Sequence, residues 1–229
     1  MNQETIWSNR YRDAGEDYLF GTAPNRFLAQ HAALLRKGES KRPTALSVAD
    51  GEGRNSVWLA EQGLDVTAVD ISDVAVAKAR RLAVHRQVEV RFVLADMLAP
   101  DWPPAALHAA YDWVVGIFIQ FADPEQRVRQ LAGMRQATRP GGRILLQGYT
   151  PKQLDYGTGG PSAIENLYTE ELLRAAFAEW EIDELVEYED EIAEGAGHRG
   201  RSALIGLVAR RPQANRRSSG DTVPPLPAI

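Results

Sequence analysis

Ala45-Leu-Ser-Val-Ala-Asp-Gly-Glu-Gly-Arg-Asn55 runs from an apolar strand straight into a glycine-bearing turn that opens a helix. Nineteen residues after Gly51 a second apolar run, Val66-Thr-Ala-Val69, ends on Asp70. Strand, glycine turn, helix and a second strand closing on an acid is the layout of a nucleotide-binding βαβ unit. Gly51 and Gly53 let the backbone approach a ligand, and the two carboxylate oxygens of Asp70 accept from ribose hydroxyls.

Working outward, the same alternation continues. The spacing predicts a helix over 54–62, a strand over 65–70, a helix over 73–84 capped by Ser72, and a strand over 88–94. Tyr111–Phe118 reads as a buried fourth strand, and Asp123-Pro124-Glu125 supplies the N-cap, first-turn proline and acid of the next helix. Arg139-Pro-Gly-Gly142 is expected to end that helix and lead into strand 143–147. Near the C-terminus, a helix over 170–180 behind Thr169 precedes strand 181–188, a glycine-rich connection over 194–200 and strand 202–209. Two strands joined without a helix pair antiparallel. The expected fold is therefore α/β: three layers, Rossmann-like, with a mostly parallel seven-stranded sheet and a terminal antiparallel hairpin. Upstream, Pro24 and Asn25 introduce an amphipathic helix over 26–35, preceded by Tyr11, Tyr18 and Phe20. Residues 1–40 thus read as an N-terminal lid segment and helix, 41–211 as the core, and 212–229, without apolar period, as a disordered tail.

Composition narrows the function. The 229 residues, 44% hydrophobic and 25% charged, suit one well-packed core. A net charge of −5 and the lack of a basic face argue against a nucleic-acid partner. Zero cysteines exclude disulfides, thiolate metal sites and cysteine nucleophiles, and no His and carboxylate spacing suggests another metal site. The N-terminus has no signal-like pattern and no run is long enough to cross a bilayer, so a cytoplasmic protein without a membrane partner is expected.

Which adenosine-bearing cofactor the turn holds is decided by the rest of the chain. The dinucleotide pattern G-x-G-x-x-G has Ser56 at its third glycine, which weakens a nicotinamide oxidoreductase reading. From residue 5 to 210 the element order resembles a class I S-adenosylmethionine-dependent methyltransferase. The residues that carry this are the glycine turn, Asp70 after the second strand, Asp96 after the third, the Arg139–Gly142 turn and the terminal hairpin. Within that family, Trp7-Ser-Asn-Arg-Tyr11, Phe20-Gly-Thr-Ala-Pro-Asn25, Gly-Glu-Gly-Arg-Asn55, Tyr149–Gln153 and Gly159-Gly-Pro161 resemble the small-molecule enzymes of the tellurite-resistance and thiopurine group.

The resemblance implies S-adenosylmethionine as cofactor and a small-molecule methyl acceptor. A soft sulfur, selenium or tellurium nucleophile leads, an oxygen or nitrogen acceptor follows, and a non-catalytic cofactor-binding module is a third reading. It further implies a cofactor site of Asp50, Gly51, Gly53, Asn55, Asp70 and Ile71, with Asp96 and Met97 at adenine, Gly116 and Ile117 at the fourth strand's end, and Trp7, Arg10 and Tyr11 folded over as a lid. Ser47 and Ala49 stand where the family carries an acid and a first glycine, leaving Asp50 or Arg10 to take over the acid's contact. Tyr18, Tyr149 and His198 are the candidate acceptor contacts, His198 being a base suited to neutral pH.

Overall fold

A computed structural model describes residues 2–35, 42–195 and 197–213. The chain opens with helix α1 (Gln3–Asp13), capped by Asn2, and the short helices α2 (Arg26–Gln30) and α3 (Ala32–Leu35). The core follows as β1 (Thr44–Val48), α4 (Arg54–Glu61), β2 (Asp65–Asp70), α5 (Asp73–Arg86), β3 (Arg91–Leu94), β4 (Tyr111–Ile117), α6 (Pro124–Ala137) and β5 (Thr138–Tyr149). Helices α7 (Gln153–Tyr156) and α8 (Glu170–Ala176) lead to the hairpin β6 (Glu181–Glu194) and β7 (His198–Arg210). The seven strands lie in the order β3-β2-β1-β4-β5-β7-β6, with β1 to β5 parallel and β7 antiparallel to both β5 and β6.

Both faces of the central strands are covered, so their side chains alternate between two cores. Leu46, Val114, Ile144 and Leu146 enter the larger cluster, whereas Ala45, Trp113, Val115 and Leu145 enter the other. Ser72 caps α5, and Asp123 with Gln126 forms a full capping box on α6.

Several boundaries differ from the sequence reading. Helix α1 was not foreseen as a helix, because its large residues are aromatic and basic rather than a plain apolar stripe. Residues 26–35 form two helices, since His31 leaves helical geometry and its Nδ1 lies 2.8 Å from the Phe27 carbonyl oxygen. β3 is shorter than 88–94, and the helix expected over 170–180 stops at Ala176. The Arg139–Gly142 turn lies inside β5 rather than ending a helix, at a register shift against β4. A Cβ on Gly142 would sit 2.9–3.0 Å from the carbonyl oxygens of Tyr111, Arg139 and Asp112, so only glycine fits that irregularity. The hairpin strands run longer than expected and consume most of the 194–200 connection, His198 pairing with Glu194. Of the expected tail, residues 214–229 lie outside the described residues.

The turn after β1 is built by two acids. Asp50 is 9% exposed; its Oδ1 accepts from Ser47 Oγ at 2.6 Å and from the Ser56 amide at 3.2 Å, tying strand end to helix start. Asp70 accepts from the Gly51 amide at 2.8 Å and the Ser72 amide at 2.9 Å. Gly53 is the N-cap of α4 at φ +92°, and a Cβ there would lie 2.8 Å from Ala79 Cβ on α5.

Gly53→Ala is therefore expected to destabilise the fold by about 2–4 kcal/mol, from overpacking and left-handed strain together. Gly63→Ala is the control: φ is +89° but nothing among the described residues lies within 4 Å of the added Cβ. It is expected to lose only the conformational part, about 1–2 kcal/mol by urea denaturation.

Burial pushes the Asp50 carboxyl up from 3.8 to about 6, against the Ser47 and Ser56 hydrogen bonds that hold it down. The folded state then binds the extra proton, so this group's stability is full below about pH 4 and is lost as pH rises through about 6. Asp50→Asn is expected to remove about 3 kcal/mol of that pH dependence, read from denaturation midpoints across the range.

Candidate functional site

Adjacent strands β1 and β4 send their connections in opposite directions across the sheet, which leaves a crevice at their carboxyl ends. A cavity of about 650 Å³ occupies this place, within the range of roughly 300–1,000 Å³ that small-molecule sites span. It gathers residues from every strand end in reach: Ala49 and Asp50 after β1, Asp70 of β2, Asp96 and Met97 after β3, Ile117 of β4 and Tyr149 of β5.

On the β2 side the floor is acidic. Asp70 is 6% exposed, and burial first of all raises its pKa, opposed by the Ser72 and Gly51 amides that donate to it. Ile71 continues that wall. Asp96 is exposed and accepts from the Leu98 amide at 2.8 Å, which fixes the turn after β3. Met97 is buried beneath it, its sulfur 3.7 Å from Gln130 Nε2.

Helix α1 forms the roof. Trp7, Arg10 and Tyr11 all line the cavity, with Trp7 stacked on Tyr11 at 5.9 Å between centroids and Arg10 lying 4.6 Å over the Trp7 ring. A Cβ on Gly51 would meet the Tyr11 hydroxyl at 2.8 Å, so the glycine is what lets the roof close onto the turn. Burial and the nearby Asp70 charge raise the Tyr11 phenol well above its usual pKa. The roof is latched by Lys78 of α5, whose Nζ donates to the Tyr11 and Asp17 carbonyls at 2.9 and 2.7 Å and to Glu52 Oε1 at 2.8 Å.

The β5 side is aromatic. Phe118, at φ +55°, stacks on Tyr149 with centroids 4.6 Å apart. Gln120 braces that strand end, donating to the Tyr149 carbonyl at 2.9 Å. The loop over Gly159-Gly160-Pro161 closes this end, a Cβ on Gly160 falling 2.8 Å from the Tyr149 ring. Burial raises the Tyr149 phenol pKa.

The cavity thus brings together Trp7, Arg10, Tyr11, Asp50, Gly51, Asn55, Asp70, Ile71, Asp96, Met97, Ile117 and Tyr149 from the expected set. Three expected residues lie elsewhere. Gly53 serves α4–α5 packing, and a Cβ on Gly116 would meet Ile119 and Met134 in the core. Tyr18 packs beside Val57 and Leu82, its hydroxyl donating to the Lys78 carbonyl at 3.3 Å, so it braces the latch rather than facing an acceptor. His198 opens β7, and the neighbouring Gly197 lines the cavity. Asp50 supports the turn from within, and Ser47 is its hydrogen-bond donor. Sequence reasoning missed Arg54, Phe118, Gln120 and Phe121 as lining residues, together with the latch Lys78. Arg54 stood in the glycine motif itself, but only the fold shows that it reaches the β6–β7 hairpin. Among the described residues no cluster of acidic or histidine side chains is placed to hold a metal ion, and no helix is long and apolar enough to cross a membrane.

Residues 45–142 match a family model described as a methyltransferase domain. Hemagglutinin 1 of Eikenella corrodens is 31% identical over 193 residues, covering 80% of this chain and 59% of that protein. Magnesium protoporphyrin IX methyltransferase from Synechocystis, solved with bound S-adenosylhomocysteine, superposes with a TM-score of 0.66 at 17% identity over 92% of this chain and all of that one. A structure solved for the conversion of a disulfide bond into a thioacetal group during echinomycin biosynthesis gives a TM-score of 0.75 at 18% identity, covering 94% of both chains. The order of the seven strands is thus the α/β fold shared by these solved structures, and the chain spans about three fifths of the length of the curated relative from Eikenella corrodens.

Proposed function

We propose that the chain carries out S-adenosylmethionine-dependent methyl transfer to a small molecule. The observation that carries this reading is the convergence of the Gly51 turn, the buried Asp70 and the exposed Asp96 on one cavity roofed by α1. The lining fits an adenosyl cofactor: Asp70 has acceptor oxygens for ribose hydroxyls, and Ile71, Met97, Leu98 and Ile117 offer apolar walls to a flat base. When bound, the cofactor supplies a sulfonium-activated methyl group. The chain's own tasks are then to orient the two reactants in line and to exclude water, which α1 does through Trp7 and Tyr11.

The lining supports a soft acceptor. Asp50 and Asp70 are engaged by serine and backbone donors, Asp96 by the Leu98 amide, and burial makes Tyr149 a weak acid. A nucleophile that ionises by itself, such as a sulfur, selenium or tellurium species, needs no base from these groups. Methyl transfer to thiols, selenite and tellurite is expected to exceed transfer to phenols and amines when labelled cofactor is followed into product.

For the cofactor itself, S-adenosylhomocysteine at about 100 times its Kd should stabilise the chain by about 2.7 kcal/mol, whereas NAD and NADP should not. Stabilisation by a nicotinamide cofactor alone overturns the reading. Asp70→Ala is expected to weaken S-adenosylhomocysteine binding by about 1.5–3 kcal/mol by calorimetry, and unchanged affinity removes Asp70 from the site.

A further inference from the structure

The end of the cavity nearest β5 and β7 holds a cation that the methyl-transfer reading leaves unused. Arg54 is the first residue of α4, is 7% exposed and lines the cavity. Its Nη2 donates to Glu194 Oε2 at 2.6 Å, but its Nη1 is buried and meets no hydrogen-bond acceptor among the described residues. The surrounding polar groups are engaged with one another. Asn25 Nδ2 donates to Glu194 Oε1 at 2.9 Å and to Gln147 Oε1 at 2.6 Å, and the Asn25 amide donates to Asn55 Oδ1 at 2.9 Å.

A buried guanidinium nitrogen without an acceptor is costly, and native structures seldom retain one without a use. A ligand carboxylate answers this need, because an ionised oxygen accepts a short charge-assisted hydrogen bond from a guanidinium N–H. The Glu194 pairing holds the fork still and leaves Nη1 as the donor presented to a ligand.

We propose that Arg54 Nη1 receives a carboxylate of the methyl acceptor, so that the preferred one among the soft acceptors is a small organic acid. This rests on the methyltransferase reading of the same cavity. The position of Arg54 assigns it to the acceptor. Along the sheet order β2-β1-β4-β5, Asp70 and Tyr149 are three strand spacings apart, roughly 14 Å. Asp70 stands at the ribose end. Arg54 belongs to the opposite end, where its partner Glu194 closes β6 and the rings of Phe118 and Tyr149 form an apolar wall. That wall suits the body of an acid whose charged group reaches Arg54.

The test uses the full chain saturated with S-adenosylhomocysteine and titrated calorimetrically with benzoate and with benzamide, which share a ring and differ in charge. The wild type should prefer benzoate by about tenfold or more. Arg54→Gln should abolish that preference while S-adenosylhomocysteine affinity stays within about twofold. Because Arg54→Gln leaves Glu194 buried without its cation, the double variant Arg54→Gln/Glu194→Gln is measured alongside; it removes both charges and keeps an amide pair. Absence of a benzoate preference in the wild type, or its persistence in both variants, overturns the proposal. So does a loss of S-adenosylhomocysteine affinity on Arg54→Gln that leaves 5′-methylthioadenosine binding unchanged, since the carboxylate bound there is then the cofactor's. If the wild type fails to bind S-adenosylhomocysteine, the cofactor reading falls separately, and the benzoate and benzamide titrations of the unliganded chain still decide the role of Arg54.

Discussion

Everything at the carboxyl edge of the sheet depends on one turn being held from both sides by carboxylates. Five parallel strands bring their carboxyl ends to one edge, and the buried backbone leaving β1 must reverse there with its polar groups satisfied. Asp70 supplies the acceptor for the Gly51 amide, while Asp50 fastens the Ser47 and Ser56 side chains beneath the turn. These acids serve the fold before they serve any ligand, and burial raises the pKa of both. A ligand that donates hydrogen bonds to Asp70 would therefore complete a carboxylate already positioned by backbone amides, with little left to reorganise.

The turn also governs the roof. Glu52, within the turn, is 3% exposed and pairs with Lys78, which in turn holds the Tyr11 and Asp17 carbonyls. Ser8 and Ser72 add a buried contact between α1 and the start of α5 at 2.9 Å. One buried ammonium thus couples the β1–α4 turn, α5 and the N-terminal helix. A buried ion pair of this kind is a weak source of net stability but a strong positional constraint, because breaking either partner leaves the other charge stranded. The second oxygen of Glu52 is buried without a hydrogen bond among the described residues, which is consistent with position rather than stability being what the pair secures.

The sheet, its order of helices and the antiparallel hairpin were legible because they rest on local signals: apolar runs of strand length, Ser72 and Asp123 as caps, and an acid at a fixed distance from a glycine turn. Asp70, Asp96 and Ile117 were legible for the same reason, since strand ends in this topology share one edge. What escaped depends on contacts far apart in sequence. Arg54 meets Glu194 across 140 residues and Lys78 meets Tyr11 across 67, separations that no periodicity encodes. Gly53 and Gly116 have a packing role that the motif does not announce. Their motif positions suggested a ligand, but the atoms that a Cβ would strike belong to α5 and to the core. Tyr18 was placed by its neighbourhood in sequence, whereas its ring is claimed by Val57 and Leu82.

Two residues at the rim show where the chain tolerates strain. Ala49 after β1 and Phe118 after β4 both adopt left-handed backbone, at φ +47° and +55°. For side-chain-bearing residues this costs roughly 1–2 kcal/mol each. The strands they end are neighbours, so both reversals occur at the switch point of the sheet. Ala49 keeps the turn geometry that a glycine would adopt freely, with Asp50 and Asp70 enforcing it. Phe118 gains a face-to-face contact with Tyr149 that a glycine could not make. Strain of this kind persists only where surrounding contacts over-determine it. At Phe118 those contacts are the bond from its amide to the Gln147 carbonyl at 2.9 Å and the stacked ring of Tyr149, whose backbone carbonyl accepts from Gln120. The aromatic wall facing Arg54 is therefore a built surface, its ring orientation set by the backbone reversal at the end of β4.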